Sequence, residues 1–181
     1  MTAIQSNNLL LGRSALLPTY GRVDVTFVEG EGCRVADSDG RSYLDFGAGI
    51  AVVSLGHRHP APLAAAHAQL DRLWHASNLV WTEPQIALAE RLSERFGGAG
   101  AGVFFCNSGA EAVEAAIKYA RKATGKPGIV ALEGSFHGRS AGALAATGQP
   151  AKRAAFEPLL PGVRFAKPND VGSLHDAFGD D

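Results

Sequence analysis

The run FFCNSGAEAVEAAIK, Phe104 to Lys118, sets an apolar stretch directly against a small polar turn and a helix-forming stretch. Ser108 is a favoured N-cap residue, and Glu111 stands three positions on, the spacing of a capping box. A cap alone would account for this much. The junction would also suit an anion. The first N–H groups of a helix have no intrahelical acceptor and carry the positive end of the helix dipole. Gly109 and Ala110 have almost no side chain, so a phosphate could approach those groups closely while Ser108 donates its hydroxyl.

A second stretch, EGSFHGRS (Glu133 to Ser140), carries complementary chemistry. Phe136 could lie flat on a heteroaromatic ring. Arg139 offers the planar fork that suits a carboxylate. Singly, a buried anchor and a solvated arginine would explain both residues. Phosphate cradle, stacking ring and carboxylate fork on adjacent strand ends are harder to dismiss together.

The elements that must position these groups follow from hydrophobic patterning. Residues 1 to 15 read as a flexible lead-in. Val23 to Val28, Cys33 to Ala36 and SYLDF read as a small antiparallel meander, with Asp39-Gly40 making a tight turn. The glycine-rich GAGIAVVSLGHRHP reads as irregular chain. PAPLAAAHAQLDRLWH is predicted helical from Pro60, with Leu63, Ala66, Leu70 and Leu73 or Trp74 on one face. EPQIALAERLSERF is predicted helical, with Pro84 near its start and the glycine run 97–102 after its end.

From there the grammar is α/β. VFFC, GIVAL and GVRFA read as unbroken apolar strands; Gly109 onward, residues 140–146 and DVGSLHDAF read as helices. That alternation implies a parallel sheet covered on both faces. In such sheets ligands collect at the carboxyl ends of the strands, where both candidate stretches fall. About three strands are fewer than such a sheet usually carries, which reads as a fragment of a larger domain.

Other phosphate sites are poorly matched. No G-x-G-x-x-G follows a strand, since GGAGAG precedes VFF, and TGKPG breaks the P-loop pattern at Pro127. A single phosphate monoester with a ring attached is left open.

The bulk numbers narrow the class. The chain has 181 residues, 46% apolar and 19% charged, with a formal net charge of -1, as expected of a soluble globular protein. Nothing suggests a nucleic-acid or membrane partner. The two cysteines, Cys33 and Cys106, make no framework, and no secretory leader is evident, so a cytoplasmic setting is expected. His57 and His59 lack ligands at metal spacing, and no metal is expected.

Taken in order, GEGCRVADSDGRSYLDFGAGIAVVSLGHRHP, LWHASN, FFCNSGAEA and LEGSFHGRS resemble the class III pyridoxal-phosphate aminotransferases, from about Pro18 to the end of the chain. Two positions depart from the family pattern: Leu132, where an aromatic is usual, and Val113, where many members have asparagine. The resemblance implies the type I fold of pyridoxal-phosphate enzymes. Residues 16–75 would be the N-terminal part of the small domain and a connecting region. Residues 76–181 would open the large cofactor-binding domain.

The resemblance also implies roles. Gly109 and Ala110, with Ser108, would hold the phosphate of pyridoxal 5'-phosphate. Phe136 would stack on its ring, and Arg139 would grip a substrate carboxylate. Tyr20 would stand at the substrate entrance, and Ser77 and Asn78 near the partner's site in a homodimer. The implied reaction moves an amino group from N2-acetyl-L-ornithine to 2-oxoglutarate, in arginine biosynthesis. Relatives acting on ornithine, succinylornithine or 4-aminobutyrate are alternatives, as is a non-catalytic truncated product.

The family's Schiff-base lysine and the acidic partner of the pyridinium nitrogen are expected beyond Asp181. Lys118 lies nine residues past Gly109, about 13 Å along the helix axis and out of side-chain reach. Lys167 stands on the correct edge, but FAKPND does not match the family's lysine segment. This chain alone is therefore expected not to transaminate.

Overall fold

The computed structural model describes residues 15–97 and 100–179. The chain divides into two compact units, Met1–Thr82 and Glu83–Asp181. The predicted lead-in lies almost wholly outside the described residues, as do Gly98 and Ala99 of the glycine run.

In the first unit three strands, β1 (Phe27–Glu31), β2 (Arg34–Asp37) and β3 (Ser42–Leu44), form an antiparallel meander in the order β1-β2-β3. The predicted first strand begins four residues late. The β2–β3 turn is built by Asp37, whose Oδ1 accepts from the N–H groups of Asp39 (2.9 Å) and Arg41 (2.8 Å). Gly40 supplies the left-handed backbone at φ 82° that the turn requires. The Tyr43 hydroxyl donates to Asp37 Oδ2 at 2.6 Å and holds that carboxyl below its ordinary range.

The glycine-rich stretch after β3 is irregular, as expected. Ala48, Gly49, Ile50 and Ala51 all have positive φ, a left-handed turn anchored by Asp45 Oδ1 accepting from the Gly47 and Ala48 N–H groups. Gly32 and His57 then exchange backbone hydrogen bonds of 3.0 and 2.8 Å.

Helix α1 (Pro60–Leu70) stops before the predicted Leu73 or Trp74. The last turn frays: the Arg72 and Leu73 N–H groups share the Gln69 carbonyl, and the Gln69 amide donates to the Leu73 carbonyl at 2.9 Å. The predicted apolar face is not a buried one: Leu63 and Leu70 are exposed, and Trp74 is 82% exposed.

The second unit opens with α2 (Glu83–Phe96), which spans the predicted stretch and has no buried residue among those described. Residues 103–106 correct an expectation. VFFC forms no strand, because a strand needs a ladder partner and none among the described residues lies beside it. The segment runs with alternating exposure instead, and Phe104 meets Tyr119 edge to face at 6.1 Å. The parallel sheet has two strands, β4 (Ile129–Leu132) and β5 (Val163–Ala166), in register Ile129 to Val163 through Leu132 to Ala166.

Helix α3 (Gly109–Thr124) precedes β4; α4 (Ala141–Ala146) and the short α5 (Pro150–Arg153) follow it; α6 (Val171–Phe178) follows β5. The core gathers Ile117 of α3, Ala131 of β4 and Ala146 of α4, with Val113, Ile129, Leu160 and Phe165 packed around them. Small residues along α4 let it sink fully, so Gly142 through Ala146 are all buried. At the far end of α3, Gly125 closes the helix at φ 71° and Arg121 clasps the Pro127 and Pro161 carbonyls (2.9 and 2.7 Å).

Candidate functional site

The start of α3 is capped as its sequence predicts, with one difference. Ser108 Oγ accepts from the Glu111 N–H at 3.2 Å. The Glu111 carboxylate reaches back one residue further than the usual box, to the Asn107 N–H at 2.6 Å. Ala112 N–H bonds to the Ser108 carbonyl. Among the described residues the N–H groups of Gly109 and Ala110 have no acceptor. A Cβ built on Gly109 would meet nothing within 4 Å. The helix mouth is thus open, with two donors facing out of it and a hydroxyl beside them.

The second stretch is a strap, Gly134 to Ser140, that leaves the end of β4 and crosses to α4. Gly138, at φ 135°, lies against the first turn of α3: a Cβ there would stand 2.8 Å from Ala110 Cβ and 2.9 Å from Ala143 Cβ. Only a glycine lets the backbone come so near. This contact brings the strap that carries Phe136 and Arg139 to the helix end that carries Ser108, Gly109 and Ala110. Phe136 is 54% exposed, and the Lys152 ammonium stands 5.6 Å from its ring centroid. Arg139 is exposed.

Two side chains that sequence reasoning passed over fix the strap. Glu114, on α3, accepts from the Ser140 hydroxyl (2.7 Å) and from the Gly142 and Ala143 N–H groups (2.8 and 3.1 Å). It caps α4 from a different helix, and the Ser140 hydrogen bond is the main cause that holds its carboxyl below the ordinary value. Thr147, fully buried, accepts from the His137 N–H at 3.0 Å. The partners of Glu114 lie 26 to 29 residues away in the chain, so no local spacing could reveal it. For Thr147 the signal is faint: a hydroxyl ending the otherwise apolar run AGALAA.

Tyr20 lies in the first unit, 58% exposed, with the Arg22 guanidinium 5.4 Å from its ring centroid. Ser77, also in that unit, accepts from the Leu79 N–H at 3.1 Å. The two histidines weighed for metal are both engaged. His57 Nε2 meets Asp45 Oδ2 at 2.7 Å, and His59 Nδ1 accepts from the Ala61 N–H at 3.3 Å. The His57 contact is the main cause of the lowered Asp45 carboxyl.

The family model of class-III aminotransferases matches residues 18–177. The chain belongs to the class-III aminotransferases. An acetylornithine aminotransferase from Mycolicibacterium smegmatis is 53% identical over 167 residues, covering 92% of this class-III chain and 42% of that relative. One from Caldanaerobacter subterraneus is 51% identical, covering 92% of the chain and 43% of that relative. Among solved structures, the ornithine aminotransferase from Toxoplasma gondii superposes with a TM-score of 0.84 at 27% identity, covering 99% of the chain and 46% of that protein. An (S)-enantioselective omega-transaminase from Thermomicrobium roseum gives 0.81 at 32% identity, with coverages of 90% and 40%. The chain is therefore an incomplete α/β portion of the fold these transaminases share, and it spans less than half the length of each relative.

Proposed function

We propose that this chain is the phosphate- and ring-holding segment of a pyridoxal-phosphate-dependent aminotransferase. The whole protein would move an amino group from N2-acetyl-L-ornithine to 2-oxoglutarate, as in arginine biosynthesis. One observation carries this: Gly138 packs against Ala110, uniting an open helix mouth with an aromatic and a guanidinium on one strap. The names of the relatives supply the substrate.

The residues present suit the cofactor. Gly109 and Ala110 offer free N–H donors at the positive end of a 16-residue helix. Ser108 Oγ uses only its acceptor side on Glu111, so its proton is available to a phosphate oxygen. Phe136 would present a ring face and keep water from that side. Pyridoxal phosphate, when bound, supplies an electron sink for the amino group's carbon. Arg139 would hold a substrate carboxylate in both half-reactions. Tyr20 would line the substrate entrance; Ser77 and Asn78 would sit near the partner's site in a homodimer. A cytoplasmic setting agrees with two free, exposed cysteines, and no helix among the described residues is long and apolar enough to cross a membrane.

The test is direct. The full-length protein, given pyridoxal phosphate, acetylornithine and 2-oxoglutarate, is expected to produce glutamate, and faster than with ornithine, succinylornithine or 4-aminobutyrate. Preference for another donor would replace the substrate assignment; failure to take up the cofactor would sink the whole proposal.

A further inference from the structure

The strap is clasped by the tripeptide that follows α4, Thr147-Gly148-Gln149. Gly134 N–H donates to the Gly148 carbonyl (2.7 Å), and Gly148 N–H donates to the Ser135 carbonyl and Oγ (3.1 and 3.2 Å). The Gln149 amide donates to the Gly134 and Ser135 carbonyls, both at 3.2 Å. Thr147 Oγ1 accepts from the His137 N–H at 3.0 Å and lies within donating distance of the Gly138 (3.2 Å) and Ala143 (3.0 Å) carbonyls. Thr147 is 0% exposed, so no water can replace its hydroxyl. Gly148 has no alternative either, since any Cβ there would collide with the Leu132 carbonyl and the Glu133 and Gly134 backbone.

The bonded groups are significant. His137 and Gly138 are the two residues between Phe136 and Arg139. Gly138 is also the residue pressed on Ala110. A hydroxyl on His137 N–H therefore sets where the aromatic and the guanidinium leave the backbone, relative to the mouth of α3. We propose that Thr147 is a positioning residue: its buried hydroxyl fixes the Phe136–Arg139 strap at the phosphate-binding end of α3, so that ring stacking and phosphate grip act together. This rests on the cofactor assignment proposed above.

Thr147→Val keeps the shape and removes the acceptor; Thr147→Ser keeps the acceptor. Two measurements are made on the full-length protein. One is deuterium uptake of the peptide covering residues 133–140, without cofactor. The other is pyridoxal-phosphate affinity, read from visible absorbance and circular dichroism. Thr147→Val is expected to raise strap uptake and weaken cofactor binding about tenfold, as for loss of the partner to a part-buried N–H. Thr147→Ser should restore both to within about twofold of the parent. Unchanged strap uptake and unchanged affinity in Thr147→Val would overturn the proposal. So would loss of melting temperature with no change in either strap readout. If Thr147→Val does not fold, Thr147→Ala, which also removes the acceptor, decides: raised strap uptake supports the proposal, and unchanged uptake overturns it. A parent protein that binds no pyridoxal phosphate defeats the cofactor assignment, while the uptake comparison still judges the clasp.

Discussion

Gly138 sits so close to Ala110 that a methyl group on it would stand 2.8 Å from the Ala110 Cβ and 3.0 Å from its Cα. This contact, with the Glu114–Ser140 hydrogen bond, joins two stretches that are separate in the chain. Glycine is required twice over, by the lack of space and by φ of 135°.

Gly138→Ala is therefore expected to cost about 2–3 kcal/mol, from backbone strain and overpacking combined. The Cβ atoms of Ala110 on α3 and Ala143 on α4 are the ones struck, and Glu114 ties those two helices together. Equilibrium unfolding of the full-length protein checks the loss. A variant as stable as the parent would mean that the strap does not rest on α3.

Gly109→Ala separates cofactor grip from folding. Its added methyl meets nothing within 4 Å among the described residues, and alanine is about 1 kcal/mol better than glycine within a helix. Stability should hold or rise slightly. The methyl would stand over the open helix mouth, so phosphate affinity should fall about tenfold or more. Titration of the apoprotein with pyridoxal phosphate, beside a melting curve, reads both. Unaltered affinity would move the phosphate away from Gly109.

Phe136→Ala should behave in the same way for a different reason. The residue is 54% exposed, with the Lys152 ammonium 5.6 Å from its ring centroid, so stability should change by less than about 0.5 kcal/mol. Loss of stacking should weaken cofactor binding by about 0.5–1.5 kcal/mol. Fluorescence quenching on cofactor binding measures it, and an unaffected affinity would remove Phe136 from the site.

Acid should loosen the strap through Glu114. The Ser140 hydroxyl and two α4 N–H groups hold its carboxyl below the ordinary value of 4.5. A depressed carboxyl contributes stability that is complete above its unfolded value and is lost as pH falls through the folded one. Stability should thus hold above about pH 4.5 and decline below it. Glu114→Gln should flatten the Glu114 share of that decline. At neutral pH it should cost about 1 kcal/mol, for a weaker cap. Denaturant midpoints between pH 3 and 7 check this; parallel curves for parent and variant would exclude Glu114 as a contributor. Asp37 and Asp45, also depressed by their partners Tyr43 and His57, should contribute acid sensitivity of the same sign.

The sequence was most legible where chemistry and local geometry coincide. Ser108 and Glu111 announce the start of α3 because capping acts over three residues. Asp37, Asp39 and Gly40 announce a turn for the same local reason. GIVAL and GVRFA were readable as strands because they find each other as partners. VFFC is as apolar as GIVAL but has no ladder partner among the described residues, which shows that a strand is a property of a pair. The strap's supports were not readable. Glu114 serves a helix 26 or more residues away, and His57 meets Asp45 across 12 residues. Such distant pairings exist only once the chain is folded. The need for glycine at position 138, set by the approach to Ala110, was likewise invisible before folding.

Arg139 supplies the sharpest test of mechanism. If one guanidinium holds a carboxylate in both half-reactions, then Arg139→Lys should damage both. Lysine keeps the charge but loses the two-pronged geometry that matches a carboxylate. In the full-length protein, kcat/KM should fall about 10- to 100-fold for acetylornithine and for 2-oxoglutarate alike, equal to about 1.4–2.7 kcal/mol each. Cofactor affinity should change little, because the proposal gives phosphate grip to Gly109 and Ala110 and stacking to Phe136. Steady-state kinetics with each substrate varied in turn separate these effects. A loss confined to one substrate would assign the other's carboxylate to a different cation. A loss of cofactor instead would mean that Arg139 braces the strap and does not bind substrate.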